Sequence, residues 1–132
     1  MSKIEAVLFD LDGTLLDSFP DFLASLENIN IKSSSKKIDE SIVRANVSDG
    51  SSKLLKLVFD IDTDDDGFDE HKRNFLNEYE KNILMYGNLF LGISDLLNFL
   101  LDKKIPYGIV TNKPRNILRS YLRNQACLDN LK

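Results

Sequence analysis

One nonapeptide near the amino terminus constrains this chain more than any other feature: Val7-Leu8-Phe9-Asp10-Leu11-Asp12-Gly13-Thr14-Leu15. Ile4 to Phe9 is a short, nearly continuous apolar run rich in strand formers, the pattern of a strand buried on both faces of a parallel sheet. It stops abruptly at two carboxylates one residue apart, and the glycine after them permits a sharp turn and close backbone approach to a ligand. Carboxylates so placed can divide labour: Asp10 attacks an electrophile while Asp12 moves a proton. The plainer alternative is a turn, since Asp and Gly are common turn residues after strands.

The rest of the chain supplies the context. Ser18 is expected to cap a helix whose early Pro20 is tolerated in the first turn, with Phe22, Leu23, Leu26 and Ile29 at helical spacing and an end near Asn30. Lys32 to Lys37 reads as a polar loop. Ile38, Ile42 and Val43, then Leu54, Leu55, Val58 and Phe59, then Phe68, Phe75, Leu76, Tyr79 and Ile83 mark three further amphipathic faces, so residues 18–86 are expected to be all helical. Between Gly92 and Pro106, Ile93, Leu96, Leu97 and Leu100 repeat as one helix; Tyr107 to Thr111 is a second buried-type strand, and Pro114 opens a last helix carrying Ile117, Leu118, Tyr121 and Leu122. Strands alternating with a covering helix imply a parallel sheet that places ligands at the carboxyl ends of its strands. Asp10 and Asp12 should therefore face one crevice with Thr111, Asn112 and Lys113.

A carboxylate attacking a phosphate monoester would give an aspartyl-phosphate, splitting hydrolysis into two easier displacements, with proton transfer by the second carboxylate worth ~10² to 10⁴ in rate. Two carboxylates facing a dianionic phosphate repel one another unless a hard cation bridges them through oxygen, which points to Mg²⁺. Thr111-Asn112-Lys113-Pro114 offers a hydroxyl and free backbone N–H groups ahead of a helix N-terminus, a setting that holds an anion; by itself it also reads as a simple helix cap. Lys113 either approaches the substrate or sits on the surface at the helix start.

The whole string VLFDLDGTL, directly after a buried-type strand, resembles the signature of the haloacid dehalogenase superfamily. The resemblance implies an α/β, Rossmann-like core (1–17 and 88–132) with an inserted helical cap (18–87). It implies Asp10 as nucleophile and Asp12 as acid/base, with Mg²⁺ held by the Asp10 carboxylate and the Asp12 backbone carbonyl. Leu11, Gly13, Thr14, Thr111, Asn112 and Lys113 would bind phosphate. The second Asp favours a phosphatase over a dehalogenase. DSFPDFL, the loop near Gly50 and the stretch from LFLGISDLL to GIVTNKP look like bacterial phosphoglycolate phosphatases and equally like N-acetylmuramic acid 6-phosphate phosphatases. Substrate choice should lie in the cap, where Arg44, Ser48 and Gly50 are candidates in a polar interhelical loop. Phosphoryl transfer within a sugar, as in phosphoglucomutases, is the rival enzymatic reading.

The family's third motif, a lysine, and its fourth, an acidic pair completing the metal shell, have no counterpart after Thr111, where only one helix and a tail containing Asp129 remain. A truncated chain is the expectation, and an inactive fragment the non-enzymatic alternative. A net charge of −4, from 21 acidic and 17 basic residues, leaves no basic stripe for nucleic acid and points to a small phosphorylated metabolite. A lone cysteine, Cys127, excludes an intrachain disulfide, and no membrane-length apolar run or secretory signal is present, so a cytoplasmic location is expected. Asp62 to Gly67 resembles the start of a calcium loop, but Arg73 stands at the twelfth position where a bidentate Glu is required. His71 is expected on the surface, and Tyr79 with the phenylalanines in core packing.

Overall fold

A computed structural model describes residues 3–33 and 37–124. The first strand, β1 (Val7–Phe9), lies parallel to β4 (Tyr107–Ile109) with Val7 opposite Tyr107 and Phe9 opposite Ile109. Between them come β2 (Leu16–Asp17), α1 (Phe19–Ser33), α2 (Glu40–Asn46), a 3₁₀ turn at Val47–Asp49, α3 (Ser51–Phe59), α4 (Phe68–Asn82), β3 (Asn88–Leu89) and α5 (Ile93–Asp102). The last element is α6 (Arg115–Asn124). The parallel α/β core expected from the sequence is present. No helix among the described residues is long and apolar enough to cross a membrane.

Several expectations are corrected. The strands are not buried on both faces: Leu8 is 72 % and Val110 63 % exposed, because the described sheet has two strands and helices pack against one side only. The helical stretch is narrower than 18–86. It ends at Asn82, Ile83 leaves the helix with extended backbone, and the insert is closed at its base by an antiparallel pair, Leu16 opposite Leu89 and Asp17 opposite Asn88. Two-residue strands carry no periodicity for a sequence reading to detect. Helix α1 runs past Asn30 to Ser33, and the Ser18 hydroxyl does not cap it: Oγ is buried without a hydrogen-bond partner, while the Ser18 carbonyl accepts from Phe22 N–H at 3.0 Å. Of the expected polar loop, residues 34–36 lie outside the described residues, as do Cys127 and Asp129.

The apolar side chains gather into two clusters. Phe22, Leu26, Val43, Leu54, Leu55, Phe75 and Tyr79 fill the helical layer, joined by Ile117 from α6; Leu11, Leu15, Leu16, Leu97 and Tyr121 pack beneath the strands with Phe9, Tyr107 and Ile109. Phe22 lies 4.3 Å from the Tyr79 ring and 5.7 Å from Phe75 (centroids), an aromatic ladder that pins α1 to α4. Both passages between the layers are tied by one carboxylate. Asp21, 1 % exposed at the start of α1, accepts from Leu84 N–H at 3.0 Å, Tyr86 N–H at 2.9 Å and Gly87 N–H at 3.0 Å.

Candidate active site

The register of β1 on β4 brings their carboxyl ends side by side, so Asp10, Asp12, Thr111, Asn112 and Lys113 line one cleft of about 230 Å³. The helical layer forms its roof: Phe22 from α1, the loop Val47 to Ser52, and Lys72, Phe75, Leu76 and Tyr79 from α4. Those four α4 residues recur at i, i+3, i+4 and i+7, a single helix stripe.

Asp10 is exposed at the strand end, and Thr14 Oγ1 donates to its carboxylate at 3.5 Å. Asp12 differs: it is 7 % exposed, and its carboxylate meets the ammonium of Lys113 at 2.9 Å. Its backbone carbonyl accepts a short hydrogen bond from Ser48 Oγ, which reaches down from the roof. Gly13 makes that approach possible. Its φ is +81°, and a Cβ there would stand 2.9 Å from Ser48 Oγ. Leu11 has a fully buried side chain, so only its backbone faces the turn; Gly13 and Thr14 flank the cleft without lining it.

Thr111 Oγ1 accepts from Lys113 N–H at 3.1 Å, the local turn that starts α6, and this leaves the hydroxyl proton available to a ligand oxygen. Lys113 is not a surface residue. Its side chain is 2 % exposed, its ammonium hydrogen-bonds the Tyr79 hydroxyl, and it lies 4.4 Å from the Tyr79 ring centre and 5.4 Å from that of Phe22. Burial pushes the Lys113 ammonium below the ordinary lysine value, with Asp12 and then Asp21 pulling the other way. The same burial, reinforced by the Asp12 charge, raises the Tyr79 phenol above its ordinary value.

Ser48 and Gly50 line the cleft. Arg44 does not; its guanidinium stacks 3.9 Å over the Phe19 ring, away from the carboxylates. His71 is half-buried, since it faces Gly67 at the start of α4. The acidic turn is solvated, with Asp62 paired to Lys56 at 2.6 Å. Among the described residues no group of three or more His, Cys, Asp or Glu is placed to hold a metal. Sequence reasoning passed over Lys72 and Asp21 and assigned Tyr79 and Phe22 to packing alone. For Lys72 and Tyr79 the helical spacing with Phe75 was a usable signal, but nothing in the sequence distinguishes a stripe facing a cleft from one facing a core.

Residues 7–131 match the haloacid dehalogenase-like hydrolase family. Among relatives, the N-acetylmuramic acid 6-phosphate phosphatase of Pseudomonas putida is 34% identical over 112 residues, 85% of this chain and 50% of its own length. The phosphoglycolate phosphatase of Xanthomonas campestris is 37% identical over 117 residues, 89% of this chain and 52% of its own. The chain thus spans about half the length of the curated relatives it matches. Among solved structures, a predicted phosphoglycolate phosphatase from Haemophilus somnus superposes with a TM-score of 0.81 at 24% identity, over 99% of this chain and 61% of its own. Protein Tyrosine Kinase A of Mycobacterium tuberculosis gives 0.82 at 21% identity, over 100% of this chain and 59% of its own. Likeness at that identity speaks for the fold alone, and one fold here serves proteins described by different activities. The matched residues include both strand ends and the whole helical layer, and on that ground the chain belongs to the haloacid dehalogenase-like hydrolase family.

Proposed function

We propose that this chain carries the nucleophile and the acid/base of a Mg²⁺-dependent phosphatase acting on small phosphate monoesters, with 2-phosphoglycolate and N-acetylmuramic acid 6-phosphate as the first substrates to test. The observation that carries the reading is the contrast between two neighbouring carboxylates at one strand end: Asp10 exposed toward the cleft, Asp12 buried against a lysine. Pairs of titratable groups in unlike environments take unlike roles.

An oxygen of Asp10 attacks phosphorus, the bond from phosphorus to the leaving oxygen breaks, and Asp12 gives that oxygen a proton. Water then attacks the aspartyl-phosphate, Asp12 takes a proton from it, and Asp10 and inorganic phosphate are released. The Thr111 hydroxyl proton is the donor for a phosphoryl oxygen, since the Gly13 and Thr14 N–H groups are committed to the Leu16 and Leu11 carbonyls within the turn. The donor set suits a hard cation: the Asp10 carboxylate and the Asp12 carbonyl oxygen would be its two protein oxygen ligands, and Mg²⁺ characteristically takes few protein ligands besides water and phosphate oxygen. Bound there, the ion would neutralise the charge shared by Asp10 and the phosphate. The helical layer, residues 18–87, acts as a cap that excludes water, and Ser48 and Gly50 contribute to substrate choice.

Phosphate release from the two substrates, with and without Mg²⁺, tests this. In a form of the protein that turns over, metal-dependent release that disappears in Asp10→Asn is expected; release by Asp10→Asn close to that of the unaltered form would refute the nucleophile.

A further inference from the structure

Lys72 lines the cleft, yet the proposed chemistry makes no use of it. Most of the other charges there are already answered. The Lys113 ammonium is spent on Asp12 at 2.9 Å, and the Asp49 carboxylate is held by Lys53 at 2.5 Å. Among the described residues no carboxylate pairs with Lys72. Its side chain is half-buried, and its ammonium lies 5.8 Å from the Phe68 ring centre, near the outer limit of about 6 Å for a cation on a ring face. A cation so placed in a partly enclosed cleft suits an anion brought by the ligand. Its position on α4 says which anion. Lys72 and Tyr79 are about two turns apart, about 10 Å along the helix axis, and Tyr79 hydrogen-bonds Lys113 beside Asp12. The phosphoryl group belongs with Asp10 and Thr111 at the strand ends, so Lys72 stands away from it. Between Lys72 and Tyr79 the stripe is apolar, formed by Phe75 and Leu76.

We propose that Lys72 determines specificity by pairing with a substrate carboxylate that lies across a sugar ring from the phosphate. The substrate class is then a carboxylated sugar phosphate such as N-acetylmuramic acid 6-phosphate, in preference to 2-phosphoglycolate. The inference rests on the phosphatase reading for placing the phosphate at the strand ends. In 2-phosphoglycolate the carboxylate is joined to the carbon that bears the phosphate ester, so both anions fall at one end of the cleft and Lys72 is left without a partner. In N-acetylmuramic acid 6-phosphate the carboxylate hangs from a lactyl ether on the opposite side of the ring. Seating that phosphate at the strand ends sends the carboxylate toward the roof, where Lys72 supplies the counter-charge, and lays the carbon face of the ring along Phe75 and Leu76. An uncharged sugar phosphate of the same size would fill the same space and leave the ammonium without an anion, which is the basis for discrimination.

Binding tests this without requiring turnover. The chain carrying Asp10→Asn, which holds hydrolysis off, is titrated by calorimetry with N-acetylmuramic acid 6-phosphate and with N-acetylglucosamine 6-phosphate, two sugars that differ only in the lactyl ether. Both carry the same phosphate, so any general attraction of Lys72 for anions cancels in the ratio of the two dissociation constants. The muramic compound is expected to bind at least about tenfold more tightly, the lower end of what a hydrogen bond to a charged group contributes. Lys72→Met should bring the ratio close to one, and Lys72→Arg should keep most of it. For 2-phosphoglycolate, Lys72→Met should weaken binding far less than for the muramic compound. A ratio near one with Lys72 present, a preference that survives Lys72→Met, an equal loss on 2-phosphoglycolate, or binding of neither sugar would each overturn the inference. Phosphate release, measured with Asp10 restored in a form that turns over, judges the phosphatase reading separately. Release without a preference that depends on Lys72 sinks the inference alone, whereas the preference without release from any of the three compounds sinks the phosphatase reading and leaves Lys72 as the carboxylate partner.

Discussion

Replacing Asp21 by alanine should destabilise the chain far more than an average substitution in a helix's first turn. The carboxylate is 1 % exposed and accepts three backbone N–H bonds from the second passage between the layers. Bonds to a charged acceptor contribute about 1.5–3 kcal/mol each, and a buried donor left unpaired costs about 1–3 kcal/mol. Gly87 is buried and bears that cost in full, whereas water can reach the part-buried bonds of Leu84 and Tyr86, so a loss of about 3–5 kcal/mol is expected. That is a large share of the roughly 5–15 kcal/mol that keeps such a domain folded. Asp21→Asn should lose less, about 1–3 kcal/mol, because one oxygen still serves Tyr86 and Gly87 while the amide nitrogen confronts the Leu84 N–H. Gly87→Ala attacks the same contact from the other side, since its Cβ would stand 2.6 Å from Asp21 Oδ2 and 2.7 Å from the Asp17 carbonyl. The double variant should therefore fall short of additivity. Urea unfolding followed by circular dichroism gives all four values. A loss below about 1 kcal/mol in Asp21→Ala would refute the reasoning, because it would mean that the three amides find water or other partners as readily.

Three further outcomes are expected. Gly13→Ala combines a φ of +81° with a Cβ 2.9 Å from Ser48 Oγ, so its melting temperature should drop by several degrees, as a loss of about 1–2 kcal/mol implies; an unchanged value would mean that the Ser48 loop yields freely. Asp39 caps α2 through Ser41 N–H at 2.9 Å, and the Ser41 hydroxyl and amide lower its carboxyl below the ordinary 3.8, so its stabilisation should be complete above that value and fade as pH falls through the lowered one. The stability difference between the unaltered chain and Asp39→Ala, measured against pH, should close on acidification, and a difference that persists unchanged would contradict the assignment. Leu8→Lys places a charge on a residue already 72 % exposed, so it should alter unfolding by no more than about 0.5 kcal/mol while lowering light scattering by self-association; a core-sized loss would show that Leu8 is covered.

The parts of the fold that were legible in the sequence are those governed by local rules. The apolar run ending at Asp10 announced β1, the spacing of Ile93, Leu97 and Leu100 announced α5, and the pairing of two strand ends followed from the handedness of a strand–helix–strand crossover. What escaped depends on contacts distant in sequence. Asp21 reads as an ordinary acidic residue in a first turn, yet its partners lie 63 to 66 residues away. Lys113 reads equally as a substrate contact or as a surface lysine at a helix start until Tyr79, 34 positions earlier, is folded over it. Exposure of Leu8 and Val110 was likewise invisible, because apolar strand composition does not report how many layers cover the sheet.

The central claim is that phosphate passes through Asp10. It is tested most directly by acid-quenching the chain during turnover of a phosphorylated substrate with Mg²⁺ and locating the covalent phosphate by mass spectrometry of its peptides. The account predicts an acid-stable, hydroxylamine-labile phosphate on the peptide containing Asp10, absent from Asp10→Asn and accumulating when Asp12 is replaced and a nitrophenyl leaving group makes the first step independent of it. Turnover with no phosphopeptide in either form, or a phosphate mapped to another residue, would contradict it.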